Sequence, residues 1–97
     1  GDAPVNQFHG AQLIAEKWGI SRRDMEEFAL TSHHRAVRAI DEGRFTRETV
    51  AYGDVTADEG PRRDTTLEKM AALSPVLPGS TITAACSSQV SDGAAAL

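Results

Sequence analysis

Two stretches of helical periodicity, which meet at Gly19, constrain the fold of this chain most. Apolar residues recur at helical spacing over residues 8–18, and Gly19 suits the left-handed conformation that ends many helices. Ser21 and Asp24 have the spacing of a capping box, and a second apolar face runs from there to Gly43. Because a connection of about two residues joins them, the helices are expected to pack as a helical hairpin. The residues predicted to be buried are Phe8, Ala11, Ile14, Ala15 and Trp18 in the first helix and Met25, Phe28, Ala29, Ser32, Ala36, Val37 and Ile40 in the second.

The composition offers little material for an independent core. Hydrophobic residues make up 40% of the 97 positions but aromatic residues only 5%, so a core would consist mainly of Ala, Leu, Ile and Val. A chain this short forms at most one small domain, and such a thin core predicts that it relies on contacts outside itself. Gly1 stands where a methionine would be expected, and the last residues have the pattern of an unfinished helix. We therefore interpret the chain as a fragment of a longer protein.

Charge and cysteine content argue against several classes of function. The formal net charge of −4 argues against general nucleic-acid binding, which requires a basic face. A single cysteine, Cys86, rules out an internal disulfide bond and is typical of a reducing compartment. The sequence has no apolar run of about 18 residues that would span a membrane, and no charged leader followed by an apolar segment. These features predict a cytoplasmic protein whose partners are neither nucleic acids nor membranes.

Residues 58–70 combine a turn, two adjacent arginines and a helix start. Gly60-Pro61 forces a bend, because proline fixes its own φ and disfavours α geometry in the residue before it. Asp64 or Thr65 then offers an N-cap, and Thr65 with Glu68 has the spacing of a capping box. The segment therefore predicts a sharp turn that leads into a short helix.

Arg62 and Arg63 lie just before this helix, which is predicted over residues 65–73. Exposed N–H groups at a helix N-terminus, together with the helix dipole, add to the charge of the two guanidiniums. The pair is therefore a candidate anion site that can hold one phosphate group on an acidic protein. A solvated loop that caps a helix is the alternative, and local chemistry alone favours it.

The remaining segments predict short strands and a last helix start, so the predicted fold class is α+β and predominantly helical. Residues 49–52 and 81–84 have the β-branched content of strands. A turn of small polar residues follows at 86–89, and Ser91 or Asp92 can cap a final Ala-rich helix. Hydroxyl and N–H groups in such a turn can hold an amide-bearing, chain-like ligand. Close packing between strand and helix explains the same pattern equally well.

Cysteine and histidine residues supply only weak candidates for chemistry. Cys86 lies beside serines, but a small buried side chain after a strand is a commoner role than that of a nucleophile. His33 and His34 are neighbours in a predicted helix and face different directions, which argues against a shared metal site. The chain contains no zinc-ligand spacing, P-loop or dinucleotide-binding fingerprint. The sequence therefore predicts neither a metal nor a bound cofactor.

Several motifs occur in an order and at intervals that match one known family. They extend from about Ala11 onward and read AEKWGISRRD (15–24), FALTSH (28–33), GRF (43–45), DEGPR (58–62), TTLEK (65–69), TA (83–84), SS (87–88) and SDGAAA (91–96). With these motifs the chain resembles the thiolase family, the acyl-CoA acetyltransferases and 3-ketoacyl-CoA thiolases. The resemblance implies a fragment of a thiolase-like fold. Residues 1–79 would correspond to the loop domain that binds coenzyme A (CoA), and residues 80–97 to a strand and helix start that return to the N-terminal core.

The same resemblance implies three CoA-binding residues. Arg62 takes the place of the arginine near the nucleotide end of CoA, and Ser88 takes that of the serine that contacts the pantetheine arm. Lys69 lies where some members have a serine near the adenine. The first two roles agree with the anion site and the hydroxyl-bearing turn inferred from the residues themselves.

Departures from the family pattern limit what the resemblance implies. Cys86 replaces the Asn of a Thr-Ala-Gly-Asn-Ser-Ser motif, so it is not the family nucleophile, which belongs to an upstream motif absent here. Residues 6–8 replace a Met-Gly motif, so a contact of this loop with the acyl chain is not carried over. The downstream Gly-His-Pro and Cys-containing glycine-rich motifs are also missing. The 97 residues are therefore predicted to contain no catalytic group and to be inactive by themselves.

The resemblance thus implies a parent enzyme that cleaves 3-ketoacyl-CoA or condenses acyl-CoA molecules. In that family a cysteine forms an acyl-enzyme, while a histidine and a second cysteine transfer protons. The implied partners are acyl-CoA or CoA, as substrate rather than cofactor, and further copies of the same chain in a homo-oligomer. Two alternatives stay open. One is a non-catalytic thiolase-like module that binds CoA or a lipid carrier or serves interactions, and the other is a segment that folds poorly alone.

Overall fold

The computed structural model describes residues 6–96, which are predominantly helical as predicted. Residues 1–5 of the predicted region 1–79, and residue 97 of the predicted region 80–97, lie outside the described residues. The elements are α1 (Gln7–Lys17), α2 (Arg22–Asp41), α3 (Leu67–Ala71) and one turn of 3-10 helix, the 84–86 turn (Ala84–Cys86). The β structure of residues 6–96 is limited to an isolated bridge between Tyr52 and Val55. None of the described helices combines the length and apolar character needed to cross a bilayer.

Side-chain caps and a left-handed glycine set the start of α1, the connection between the helices and the start of α2. Asn6 Oδ1 accepts the Phe8 N–H at 2.9 Å, and Gly19 follows α1 with a φ of 63°. Ser21 Oγ accepts the Asp24 N–H, and Asp24 Oδ2 accepts the Ser21 N–H, both at 3.0 Å. The predicted capping box and glycine stop are therefore confirmed.

The core is small and lies mainly between α2, α3 and the 84–86 turn. α2 packs on these two elements rather than along α1, so the predicted helical hairpin is wrong for the described residues. The Cα radius of gyration is 16.4 Å, whereas a compact domain of this length is expected at about 12.5 Å. The chain is therefore open rather than tightly packed. The buried residues are Ala15, Ala29, Met70 and Ile82, together with the polar Glu26 and Thr83.

Much of the apolar surface predicted to be buried is exposed. In α1 only Ala15 is buried and Trp18 is 63% exposed, while Phe28 of α2 is 80% exposed. Most of the other predicted core residues of α2 are half-buried. Apolar periodicity identifies the side of a helix that packs, but not which part of the protein packs on it. Among the described residues nothing covers these faces, because Gln12 ties α1 to Thr81 and α1 does not lie along α2.

α3 is shorter than predicted and has a different N-cap. Thr66, rather than Asp64 or Thr65, adopts the extended cap conformation, with a φ of −139°. Its Oγ1 accepts the Lys69 N–H at 3.1 Å, so the capping box predicted for Thr65 and Glu68 is wrong. Adjacent threonines have the same capping chemistry, and the position of the preceding loop on α2 decides which of them reaches the helix start.

The two predicted strands are not formed in the described part of the chain. Within residues 81–84, the Ile82 carbonyl accepts the Val76 N–H at 2.8 Å, but no ladder follows. Tyr52 and Val55 exchange two hydrogen bonds of 3.0 Å across a tight turn and extend no further. A strand requires a neighbouring strand to satisfy its N–H and C=O groups, and residues 6–96 supply none.

The last helix, predicted after Ser91 or Asp92, is not formed either. Residues 91–96 have no regular structure. The first helical turn fixes several backbone dihedral angles for a single hydrogen bond, so a few residues without a surface to pack on do not nucleate a helix. High alanine content therefore did not suffice, and this prediction is wrong for the described residues.

Candidate functional site

The loop of residues 58–66 is attached to α2 through two of its own adjacent residues, Arg62 and Arg63. The Arg62 N–H donates to His33 Nδ1 at 3.0 Å. The Arg63 guanidinium donates to both carboxylate oxygens of Asp41, at 2.8 and 2.9 Å. These hydrogen bonds from Arg63 lower the pKa of Asp41 below its usual range. Contacts with α2 therefore fix the backbone of one arginine and the side chain of the next.

The two arginines differ in what their side chains contact. Arg63 is engaged by Asp41, whereas the exposed Arg62 guanidinium forms no hydrogen bond or ion pair with any residue from 6 to 96. A guanidinium presents a planar set of N–H donors that matches phosphate oxygens. Arg62 is therefore the member of the pair that can bind an anion without breaking an existing contact.

Lys69 of α3 contacts the same loop at Asp64. Its Nζ donates to the Asp64 carbonyl oxygen at 2.8 Å and lies 3.4 Å from Asp64 Oδ2. The hydrogen bond from Lys69 is the largest cause of a lowered pKa at Asp64, and the charge of Arg62 adds a smaller contribution. The contacts with Asp64 use two of the three N–H donors of this ammonium group, so the predicted adenine contact of Lys69 would use the third.

Ser88 lies on a segment that passes beside this loop. A Cβ atom on Gly60 would be 3.4 Å from Gln89 Oε1, so the Gln89 side chain lies against the turn that precedes Arg62. That turn is closed by Asp58 Oδ1, which accepts the Gly60 N–H at 2.8 Å. Ser88 itself is exposed. The structure therefore brings together the segments that carry Ser88 and Arg62.

A buried threonine organises the 84–86 turn, which precedes Ser88. Thr83 is fully buried, its Oγ1 accepts the Ala85 N–H at 3.2 Å, and its carbonyl accepts the Ser87 hydroxyl at 2.8 Å. Cys86 Sγ accepts the Thr83 N–H at 3.3 Å and donates to the Thr83 carbonyl at 3.4 Å. The half-buried thiol thus caps the turn, which favours a packing role over that of a nucleophile.

The two adjacent histidines have separate surroundings. His33 Nδ1 is occupied by the Arg62 N–H, and His34 is exposed. Among residues 6–96 no three His, Cys, Asp or Glu side chains come close enough to hold a metal ion. The contact made by His33 is therefore one that supports the loop.

Two residues that sequence reasoning overlooked connect distant parts of this region. Gln12 Oε1 accepts the N–H and the hydroxyl of Thr81, both at 2.9 Å, which attaches α1 to the segment before the 84–86 turn. Arg22 Nη2 donates to the carbonyls of Met70 and Leu73, at 3.0 and 2.6 Å. No local pattern marks these partners. The one available signal was the position of Arg22 in the first turn of a helix, where the dipole disfavours a cation.

Comparison with known proteins assigns the chain to a family. A family model described as the N-terminal domain of thiolase matches residues 5–97. The chain belongs to the thiolase family. The resemblance carried by the motifs is thereby confirmed. This thiolase chain is 50% identical over 101 residues to the steroid 3-ketoacyl-CoA thiolase of Mycobacterium tuberculosis, a match that covers 100% of the chain and 25% of that relative.

Other thiolases match to a similar extent. The chain is 47% identical over 96 residues to the beta-ketoadipyl-CoA thiolase of Pseudomonas aeruginosa and 46% identical over 102 residues to the human peroxisomal 3-ketoacyl-CoA thiolase, with 90% of the chain and 24% of each relative covered. The solved structure of the acetyl-CoA acetyltransferase from Syntrophomonas wolfei superposes with a TM-score of 0.69 at 39% identity, over 86% of this chain and 26% of that one. The thiolase chain thus spans about a quarter of the length of its relatives.

Proposed function

We propose that these residues form the CoA-binding part of a thiolase that cleaves 3-ketoacyl-CoA or condenses acyl-CoA molecules. Residues 1–79 act as the loop region that binds the nucleotide end of CoA, and residues 80–97 lead back to the core of the enzyme. Relatives from Mycobacterium tuberculosis and humans are called 3-ketoacyl-CoA thiolases, which supports this activity. The full-length protein is further proposed to be a cytoplasmic homo-oligomer.

The assignment of CoA as the ligand depends mainly on the Arg62 side chain. The Arg62 guanidinium is exposed and has no partner among residues 6–96, although its backbone N–H is held by His33 and its neighbour Arg63 is paired with Asp41. A charged group on a fixed backbone loses less conformational freedom on binding than one on a mobile loop. Such a group favours an anion, and a phosphate at the nucleotide end of CoA has that chemistry.

The rest of CoA is assigned to the segment beside this loop. Ser88 is exposed and follows the hydrogen-bonded 84–86 turn, and Gln89 lies against Gly60. The pantetheine arm carries amide groups that can accept a hydrogen bond from a serine hydroxyl. A ligand with its phosphate at Arg62 and its arm at Ser88 would therefore cross two neighbouring segments.

We assign no catalytic group to this chain. The thiol of Cys86 caps the 84–86 turn, and the nucleophilic cysteine and proton-transfer groups of a thiolase are assigned to other parts of the enzyme. Residues 1–97 would bind and position the substrate, and would show no thiolysis in isolation.

The test is a calorimetric titration of CoA into the full-length protein and its Arg62→Ala variant. Loss of a charge-assisted phosphate contact is expected to weaken binding by about 1–3 kcal/mol, roughly fivefold to 150-fold in Kd. Arg47→Ala is the matched control, because Arg47 is also exposed and forms no ion pair with residues 6–96. An unchanged affinity in Arg62→Ala would remove Arg62 from the site.

A further inference from the structure

Arg22 lies at the N-terminal end of one helix and the C-terminal end of another. It is the first residue of α2, where the helix dipole disfavours a positive charge. Its Nη2 donates to the carbonyls of Met70, Ala71 and Leu73, at 3.0, 3.2 and 2.6 Å. These carbonyls lie at and just beyond the C-terminal end of α3, where a cation is favoured. The end of α3 and the residues after it therefore supply three carbonyl acceptors for this guanidinium.

Glu26 holds the other side of the same guanidinium. Arg22 Nε donates to Glu26 Oε1 at 2.7 Å, and the Glu26 side chain is only 4% exposed. A carboxylate buried this deeply is costly unless it is paired, so the contact also keeps Arg22 in place. The next pair along the helix, Arg23 and Glu27, has the same spacing and a 2.9 Å contact, but it is mostly exposed. Arg23 also makes no hydrogen bond to α3.

From α3 the contacts continue to the loop that carries Arg62. Lys69 of α3 donates its Nζ to the Asp64 carbonyl at 2.8 Å, two residues after Arg62 in the sequence. On the other side, His33 of α2 accepts the Arg62 N–H. The position of Arg62 thus depends on where α3 sits on α2, and Arg22 is the side chain that joins the ends of these two helices.

We propose that Arg22 is a positioning residue for CoA binding. By capping the C-terminal end of α3 it fixes that helix against α2 and, through Lys69 and Asp64, sets the place of Arg62. Arg22 contacts protein groups only, and its effect on the ligand is indirect. This inference rests on the proposed function, in which Arg62 binds a phosphate of CoA.

The experiment measures the Kd for CoA of the full-length protein and its variants by calorimetry. Arg22→Ala is expected to raise Kd about tenfold, which is the effect of misplacing one charged contact. Arg22→Lys keeps a cation that can donate to some of the carbonyls, and it is expected to recover part of the affinity. Arg23→Ala removes the same charge from the neighbouring position without removing a hydrogen bond to α3, and its Kd is expected to stay unchanged.

A stability control separates positioning from general damage. Ser21→Ala removes the N-cap of α2, one residue from Arg22, and leaves the contacts of α3 in place. It is expected to lower the stability of the helix without changing the Kd for CoA. If Arg22→Ala does not fold because Glu26 is left unpaired, Arg22→Ala combined with Glu26→Gln removes that buried charge and is used instead.

The outcomes for Arg62 and Arg22 distinguish failure of this inference from failure of the proposed function. If Arg62→Ala weakens CoA binding and Arg22→Ala does not, the inference is overturned and the proposed function stands. If Arg62→Ala leaves the Kd unchanged, the assignment of Arg62 to CoA in the proposed function is overturned and the inference falls with it. An equal loss of affinity in Arg22→Ala and Ser21→Ala also overturns the inference, because general destabilisation then explains the result.

Discussion

At the scale of single residues, contacts with α2 distinguish two arginines that are chemically identical in the sequence. Arg63 donates to both oxygens of Asp41, and these hydrogen bonds raise the pKa of Arg63 as they lower that of Asp41. Arg62 is bound to α2 through its backbone N–H, which donates to His33 Nδ1. The side chain that is left without a partner among residues 6–96 is the one that the family resemblance assigns to CoA.

The Arg63 contact can be tested through the titration of Asp41. Replacing Arg63 by glutamine removes the main cause of the lowered pKa, so the pKa of Asp41 is expected to rise toward its usual value of 3.8. NMR titration of the carboxyl carbon measures the change, and Arg47→Gln is the control. Because the pKa is lowered in the folded state, the pair stabilises the fold above the usual pKa. That stabilisation is lost as the pH falls through the lowered pKa. If the pKa of Asp41 is the same with and without Arg63, the contact is contradicted.

At the scale of elements, α2 is the scaffold of the described structure. Its 20 residues extend for about 30 Å. The helix contacts the chain between residues 62 and 73 near its start, its middle and its end, at Arg22, His33 and Asp41. Since the early part of that segment meets the end of α2 and the late part meets its start, the segment runs antiparallel to the helix. α2 therefore places both the loop and α3, which are also joined to each other by the contact of Lys69 with Asp64.

Gly10, inside α1, and Gly19, just after it, together test whether α1 requires a left-handed glycine at its end. Gly19 has a φ of 63° and open space where a Cβ would be, so Gly19→Ala strains only the backbone and is expected to cost about 1–2 kcal/mol. Gly10 lies inside α1, also with open space around it, and Gly10→Ala is expected to stabilise the protein by about 0.5–1 kcal/mol. Urea unfolding measures both effects. Shifts in the same direction would show that the left-handed stop at Gly19 is not required.

At the scale of the whole molecule, the chain leaves much of its apolar surface in water. Trp18 is 63% exposed, Phe28 80% and Tyr52 87%, and the radius of gyration of 16.4 Å exceeds that of a compact domain. Burial of such side chains supplies most of the free energy of folding. A chain that buries so few of them gains little stability by itself, which agrees with the thin core inferred from composition.

The fluorescence of Trp18, the single tryptophan, can test how openly the chain is packed. Lys17 Nζ lies over the Trp18 ring, 4.7 Å from its centroid, and the residue is 63% exposed. In the isolated 97 residues, acrylamide is expected to quench Trp18 fluorescence almost as strongly as in the urea-unfolded chain, because little protein covers the ring. Phe28→Ala serves as a control that leaves this quenching unchanged. Strong protection of Trp18 from acrylamide would mean that the isolated chain packs more tightly than described.

The sequence by itself determined the helix ends that depend on neighbours a few residues apart. Ser21 and Asp24 form the predicted capping box, and Gly19 adopts the predicted left-handed conformation. Such caps and stops act over three or four residues, so their spacing is visible in the sequence. The order of the motifs also determined the family, because several ordered motifs are far more specific than one.

Only the tertiary structure decided which residues pack, pair or stay without a partner. Arg22, Arg63 and Gln12 have partners more than twenty residues away, and the same side chains at other places would lie in solvent. Periodicity at Phe28 and β-branched content at residues 81–84 indicate a tendency to pack or pair. Burial and strand pairing also require a second surface, and among residues 6–96 that surface is missing. Local chemistry therefore defines the ends of the long helices, and long-range contacts define the candidate site.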